Sequence, residues 1–119
     1  MKNKIVYVNE SEFRGLFVII MAKIYKKNMD VLSALCPPSA LEIVRMIKER
    51  KLVAIVFDCD HCLFKKTIDE IAKEKTGVKI ILVSRNTRCS CECLNSHNKT
   101  VVSTLREAFN YIPRETANP

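Results

Sequence analysis

The sequence predicts an α/β domain built on a doubly wound parallel sheet, and three observations carry that expectation. Short apolar runs alternate with longer stretches whose apolar residues recur at helical spacing, the pattern of repeated strand–helix units. Runs such as LVAIVF at 52–57 and VKIILV at 78–83 contain almost no polar interruption, as strands covered on both faces require. Only two Gly and four Pro are present, which leaves little room for the many tight turns of an all-β fold.

Taken in order, Ile5 to Val8 is a short apolar run bounded by polar residues and reads as the first strand. Ser11 is placed to cap the helix that follows, from Glu12 to about Lys26. Its apolar residues Phe13, Leu16, Phe17, Ile20 and Ile24 recur at helical spacing. Asp30 to Ala34 is a second, short strand. Pro37-Pro38 interrupts, and Ser39 caps a helix from Ala40 to about Lys51. In that helix Leu41, Ile43, Val44 and Ile47 face inward and Arg45, Lys48, Glu49 and Arg50 face outward. Leu52 to Phe57 is the third strand. Thr67 to Lys75 is a helix with Ile68 and Ile71 inward, ended by Gly77, and Val78 to Val83 is the fourth strand. Arg85 to Ser90 is polar enough for a turn or a short helix, and Cys91 to Leu94 reads as a weak fifth strand. Asn98 caps a last helix through about Tyr111, with Val101, Val102, Leu105 and Phe109 as its apolar side. Five strands in 119 residues suit the flavodoxin-like order 2-1-3-4-5, with helices on both faces. The domain is expected to span 1–112, with 113–119 as a tail.

Composition narrows the function classes. With 48% hydrophobic and 28% charged residues the chain is globular rather than disordered. No apolar run approaches the roughly 18–20 residues of a membrane span, and no signal-peptide pattern is visible, so a cytoplasmic location is expected. The net charge of +7 is spread over predicted helix surfaces, which argues for solvated faces rather than a nucleic-acid-binding stripe.

In a sheet of this order, ligands bind beyond the carboxyl ends of the strands near the switch point between strands one and three. That gathers Asn9 and Glu10, Asp58 and Asp60, and Ser84. Clustered acidic oxygens repel one another. A divalent cation such as Mg²⁺ relieves the repulsion and favours a phosphoryl group nearby, which the Ser84 hydroxyl could contact.

The segments KIVYVNESEFRGLFVIIMAKIY, ALEIVRMIKERKLVAIVFDCD and VKIILVSRN resemble the receiver domain of two-component response regulators, over about Lys4 to Phe109. The resemblance implies signal transduction with a histidine kinase or a downstream effector as protein partner. Homodimers are a further expectation. It makes Asp58 the phosphoacceptor, places Asn9, Glu10, Asp58 and Asp60 around Mg²⁺, with Asp60 supplying its backbone carbonyl, and gives Ser84 the phosphoryl contact. Enzymatic activity would be limited to self-phosphorylation and dephosphorylation at Asp58. The chain departs from the family pattern: Asn9 replaces an acid, the usual Pro and Gly after the phosphoacceptor are replaced by His61-Cys62-Leu63-Phe64, and the Lys-Pro of strand five has no clear match. These departures favour an atypical receiver that acts through protein contacts.

Two other readings compete. IVFDCDHCLF also resembles the first motif of haloacid-dehalogenase-type phosphatases, with Asp58 as nucleophile and Asp60 as general acid/base. That motif normally opens the fold, whereas here it follows some 50 residues. The thiols Cys59 and Cys62, with Cys89, Cys91 and Cys93, have spacings suited to Zn²⁺ or an iron–sulfur cluster, with His61 and His97 as further ligands. CxxC is also a redox spacing, and the reading preferred over metal or redox chemistry is that the same thiols are small core residues, or form one disulfide. Cys36, before Pro37-Pro38, reads as structural.

Overall fold

The computed structural model describes residues 3–25, 29–47, 51–58, 65–74, 77–83 and 99–112. They form β1 (Asn3–Val8), α1 (Glu12–Tyr25), β2 (Met29–Ala34), α2 (Pro37–Met46), β3 (Leu52–Phe57), α3 (Lys65–Glu74), β4 (Lys79–Val83), β5 (Lys99–Val102) and α4 (Leu105–Tyr111). The five strands make one sheet in the order β2-β1-β3-β4-β5, with every neighbouring pair parallel. This is the flavodoxin-like arrangement that the alternation of elements predicts.

Strand alternation divides the core in two. Val6, Val8, Ile55, Phe57, Ile80 and Leu82 point to one face, where Ala40, Val44 and Ile47 of the α2 segment and Ile68 and Ile71 of α3 cover them. Ile5, Tyr7, Ala54, Val56, Ile81 and Val83 point to the other, under Val18 and Ala22 of α1 and Ala108 and Ile112 of the α4 segment. Because β1, β3 and β4 are buried on both faces, their sequences lack polar alternation. On the surface, Arg45 of α2 forks onto Glu74 of α3 through Nε at 3.1 Å and Nη2 at 2.7 Å, tying the two helices together.

Three elements differ from the sequence expectation. Residues 99–102 are a strand, not the opening of the last helix: Lys99-Thr100-Val101-Val102 pairs in parallel with Ile80 to Val83. Three of its four side chains are β-branched, which suits a pleated surface better than a helix. The helix starts later, and Thr104, not Asn98, caps it by accepting from the Glu107 backbone N–H at 3.2 Å. The fifth strand expected at Cys91 to Leu94 and the short helix at Arg85 to Ser90 lie outside the described residues.

The second helix begins at Pro37, so the two prolines open the helix rather than interrupt the chain before it. Proline fits the first helical turn because its missing N–H would have no partner there and its fixed φ is already helical. Ser39 therefore sits inside that turn and does not cap. Its hydroxyl lies 3.2 Å from the half-buried Cys36 thiol, which supports the structural reading of Cys36.

The third difference concerns which way α1 faces. Phe13, Leu16, Phe17, Ile20 and Ile24, the apolar residues that recur at helical spacing, are all exposed rather than turned to the core. Gly15, Val18 and Ala22 face the sheet instead. Small residues let the helix approach closely: a Cβ built on Gly15 would lie 2.2 Å from Ser33 Oγ on β2.

Lys99 is the least expected charge in the fold. Its side chain is only 1% exposed, yet its ammonium meets Asp69 of α3 at 2.5 Å.

Candidate functional site

The site is assembled where β1 and β3 end side by side. Val8 is paired with Phe57 on one side and Ala34 on the other. The ladder runs one residue further in both directions: the Asp58 N–H donates to the Val8 carbonyl at 2.8 Å, and the Asn9 N–H to the Ala34 carbonyl at 3.0 Å. Asn9 and Asp58 are therefore placed by the sheet itself, and both are buried, at 7% and 5% exposure.

Asn9 uses both ends of its amide locally. Nδ2 donates to the backbone carbonyl of Asp58 at 2.6 Å, and Oδ1 accepts from the Ser11 N–H at 2.8 Å. The second bond is an Asx turn that bends the chain out of β1 and into α1. Ser11 then caps α1 as expected, its hydroxyl accepting from the Arg14 N–H at 3.3 Å. This sequence of turns brings Arg14 back over the end of β3.

Asp58 is held by two donors on the same oxygen. Tyr7 Oη donates to Oδ2 at 2.5 Å and Arg14 Nε donates to it at 3.2 Å. Tyr7 comes from the α1/α4 side of β1 and its side chain is fully buried. Burial pushes the Tyr7 phenol well above its ordinary range, and the bond and charge of Asp58 push it the same way. Partial burial works against the Arg14 charge, but the contacts with Tyr7 and Asp58 outweigh it and raise the guanidinium further. The outcome is a Tyr–carboxylate–Arg cluster, with Tyr7 and Asp58 buried and Arg14 partly exposed, in which the carboxylate accepts hydrogen bonds from both.

Of the residues expected around Mg²⁺, the fold brings Asn9 and Asp58 together, while Glu10 stands exposed beside them. Asp60 and Ser84 lie outside the described residues, as do the thiols Cys59, Cys62, Cys89, Cys91 and Cys93 with His61 and His97. Among the described residues no group of three or more His, Cys, Asp or Glu is placed to hold a metal ion. None of the described helices is long and apolar enough to cross a membrane.

Sequence reasoning missed Tyr7 and Arg14. A signal for Tyr7 was available, since a tyrosine inside a buried strand needs a partner for its hydroxyl, and the nearest chemistry lies one strand away. Arg14 was hidden by the orientation of α1: an apolar stripe turned to the core would carry Arg14 away from the end of β3, and here the stripe faces outward. No protein-family model matches this chain, and neither does any curated protein or solved structure.

Proposed function

We propose that this chain is an atypical, receiver-like signalling domain of the cytoplasm that works through protein contacts rather than through phosphorylation of Asp58. Its partner on this reading is a histidine kinase or a downstream effector. The observation that supports it is the seating of Asp58. The residue stands at the carboxyl end of the third strand, next to the switch point, where a receiver would carry its phosphoacceptor. Its carboxylate, however, is buried and accepts from Tyr7 and Arg14 on one oxygen.

Transfer to an aspartate needs a carboxylate oxygen in line with the donor phosphorus and a cation nearby to share the phosphoryl charge. Here the Asn9 amide, at the position of an acidic ligand, is already bonded to the Asp58 carbonyl and the Ser11 N–H. The ancestral active-site position thus acts as an interior polar anchor, and the outer surfaces are left to carry the signal. The same burial weighs against Asp58 as a phosphatase nucleophile.

The test is intact-mass spectrometry after incubation with acetyl phosphate and Mg²⁺, with beryllofluoride as a second probe. The expected result is no adduct in either case. A single species about 80 Da heavier, lost in Asp58→Ala, would restore the phosphoacceptor reading.

A further inference from the structure

We infer that the outer face of α1 is a self-association surface on which two copies of this chain pair antiparallel about a two-fold axis. The observation is that α1 is apolar on both sides. Toward the sheet it presents Gly15, Val18 and Ala22. Directly opposite, Phe13 is 86% exposed and Leu16, Phe17, Ile20 and Ile24 are each about half exposed. At 100° per residue these five fall within one stripe along the length of the helix. A helix that is apolar all round belongs in an interior, and the domain covers only one of its sides.

The size of the stripe fits a second copy. With aromatic side chains offering about 150–250 Å² each, the stripe exposes roughly 500 Å², at the upper end for a contiguous patch on a monomer. Two such stripes face to face bury about 1,000 Å² in total, the threshold of a specific interface, before the flanking side chains are added.

Charge placement selects the orientation. Glu12 and Lys23, both exposed, are eleven residues apart and so stand on the same flank of the stripe at opposite ends of α1. In a parallel two-fold pair opposite flanks meet, whereas in an antiparallel pair like flanks meet. Antiparallel packing centred near Val18 sets Phe13 against Ile24 of the second copy and Phe17 against Ile20. At that register Glu12 lies on the same flank as Lys23 of the second copy and within about 3 Å of it along the helix axis, a gap these side chains span, twice by symmetry. The apolar stripe and the charges therefore favour the same antiparallel orientation.

Sedimentation equilibrium on the full chain tests this. A dimer is expected at tens of micromolar. Phe17→Lys, on the exposed side of α1, is expected to be monomeric with an unchanged far-UV circular dichroism spectrum. Glu12→Lys and Lys23→Glu should each weaken the dimer about tenfold by placing like charges together, and the double exchange should return it to within about threefold of the wild type. A wild-type chain that stays monomeric at 100 µM, with or without binding to anionic lipid vesicles, overturns the proposal. So does a double exchange that is weaker than either single variant.

Discussion

Replacing Asp58 by alanine should destabilise the fold by about 3 kcal/mol, a loss worked from its bonds to Tyr7 and Arg14. The variant leaves the fully buried Tyr7 hydroxyl without its carboxylate acceptor. That costs about 2 kcal/mol, since a bond to a charged group is worth about 1.5–3 kcal/mol and a buried donor without a partner costs a similar amount. Arg14 loses its partner too, but its side chain is 38% exposed and regains water, so its share is about 0.5–1 kcal/mol. Tyr7→Phe removes the same bond from the other side and should cost about 2 kcal/mol. Because both variants delete one interaction, the double variant should fall short of the sum by about 1.5 kcal/mol. Urea titration followed by circular dichroism measures all four species. In heat the Asp58→Ala loss corresponds to a Tm lowered by roughly 12 °C for a domain of this size. An acidic side chain open to solvent beside other acids behaves in the opposite way, because its removal relieves repulsion. An Asp58→Ala variant within about 0.5 kcal/mol of the wild type, or strictly additive losses, would therefore refute the account of Asp58 as an interior anchor.

Two further outcomes follow from the same coordinates. Gly15→Ala gains helix propensity worth about 1 kcal/mol but drives a methyl group to within 2.2 Å of Ser33 Oγ and 3.1 Å of Ser33 Cβ. The net expectation is a loss of about 1–2 kcal/mol in thermal melts, largely recovered when Ser33→Ala is added, and a stabilised single variant would contradict the close approach of α1 to β2. The Tyr7 phenol is raised in the folded state, so the native protein holds that proton more tightly than the unfolded chain does. Its contribution is complete below pH about 10 and is lost as pH rises above that, at up to about 1.4 kcal/mol per pH unit. The difference in urea midpoint between wild type and Tyr7→Phe should shrink between pH 9 and 11.5, and a constant difference would sink this reading.

The elements that were legible in the sequence are those whose residues all carry the same message. Leu52 to Phe57 is apolar without a break because both faces of β3 are covered, and its boundaries are those expected. Ile68 and Ile71 sit one turn apart on a helix that is otherwise polar, so α3 could face only one way. Where two messages overlapped, the reading failed. In α1 the larger side chains form the visible helical stripe, although the small residues on the opposite side let the backbone approach β2. Near the carboxyl end, Val101, Val102, Leu105 and Phe109 mimic a helical stripe although they span a strand and a helix. The Thr104-x-x-Glu107 pattern is the capping signature that marks the true start. Asp58 and Asn9 were found through their place at the strand ends. The partners of Asp58, Tyr7 and Arg14, were not, because a bond between residues 51 or 44 positions apart leaves no periodic trace.

The Lys99–Asp69 pair, whose lysine side chain is buried, bears on how the chain chooses its native pairing. β5 has only four residues and stands last in the strand order, where a ladder is most prone to slip. A shift by one position would turn Lys99 toward the α1/α4 side, where Ile81, Val83 and Ala108 offer an ammonium group no counter-charge, and would leave Asp69 on the far side of the sheet. The lysine thus disfavours a one-residue slip of the last strand, an effect on alignment separate from its contribution to stability.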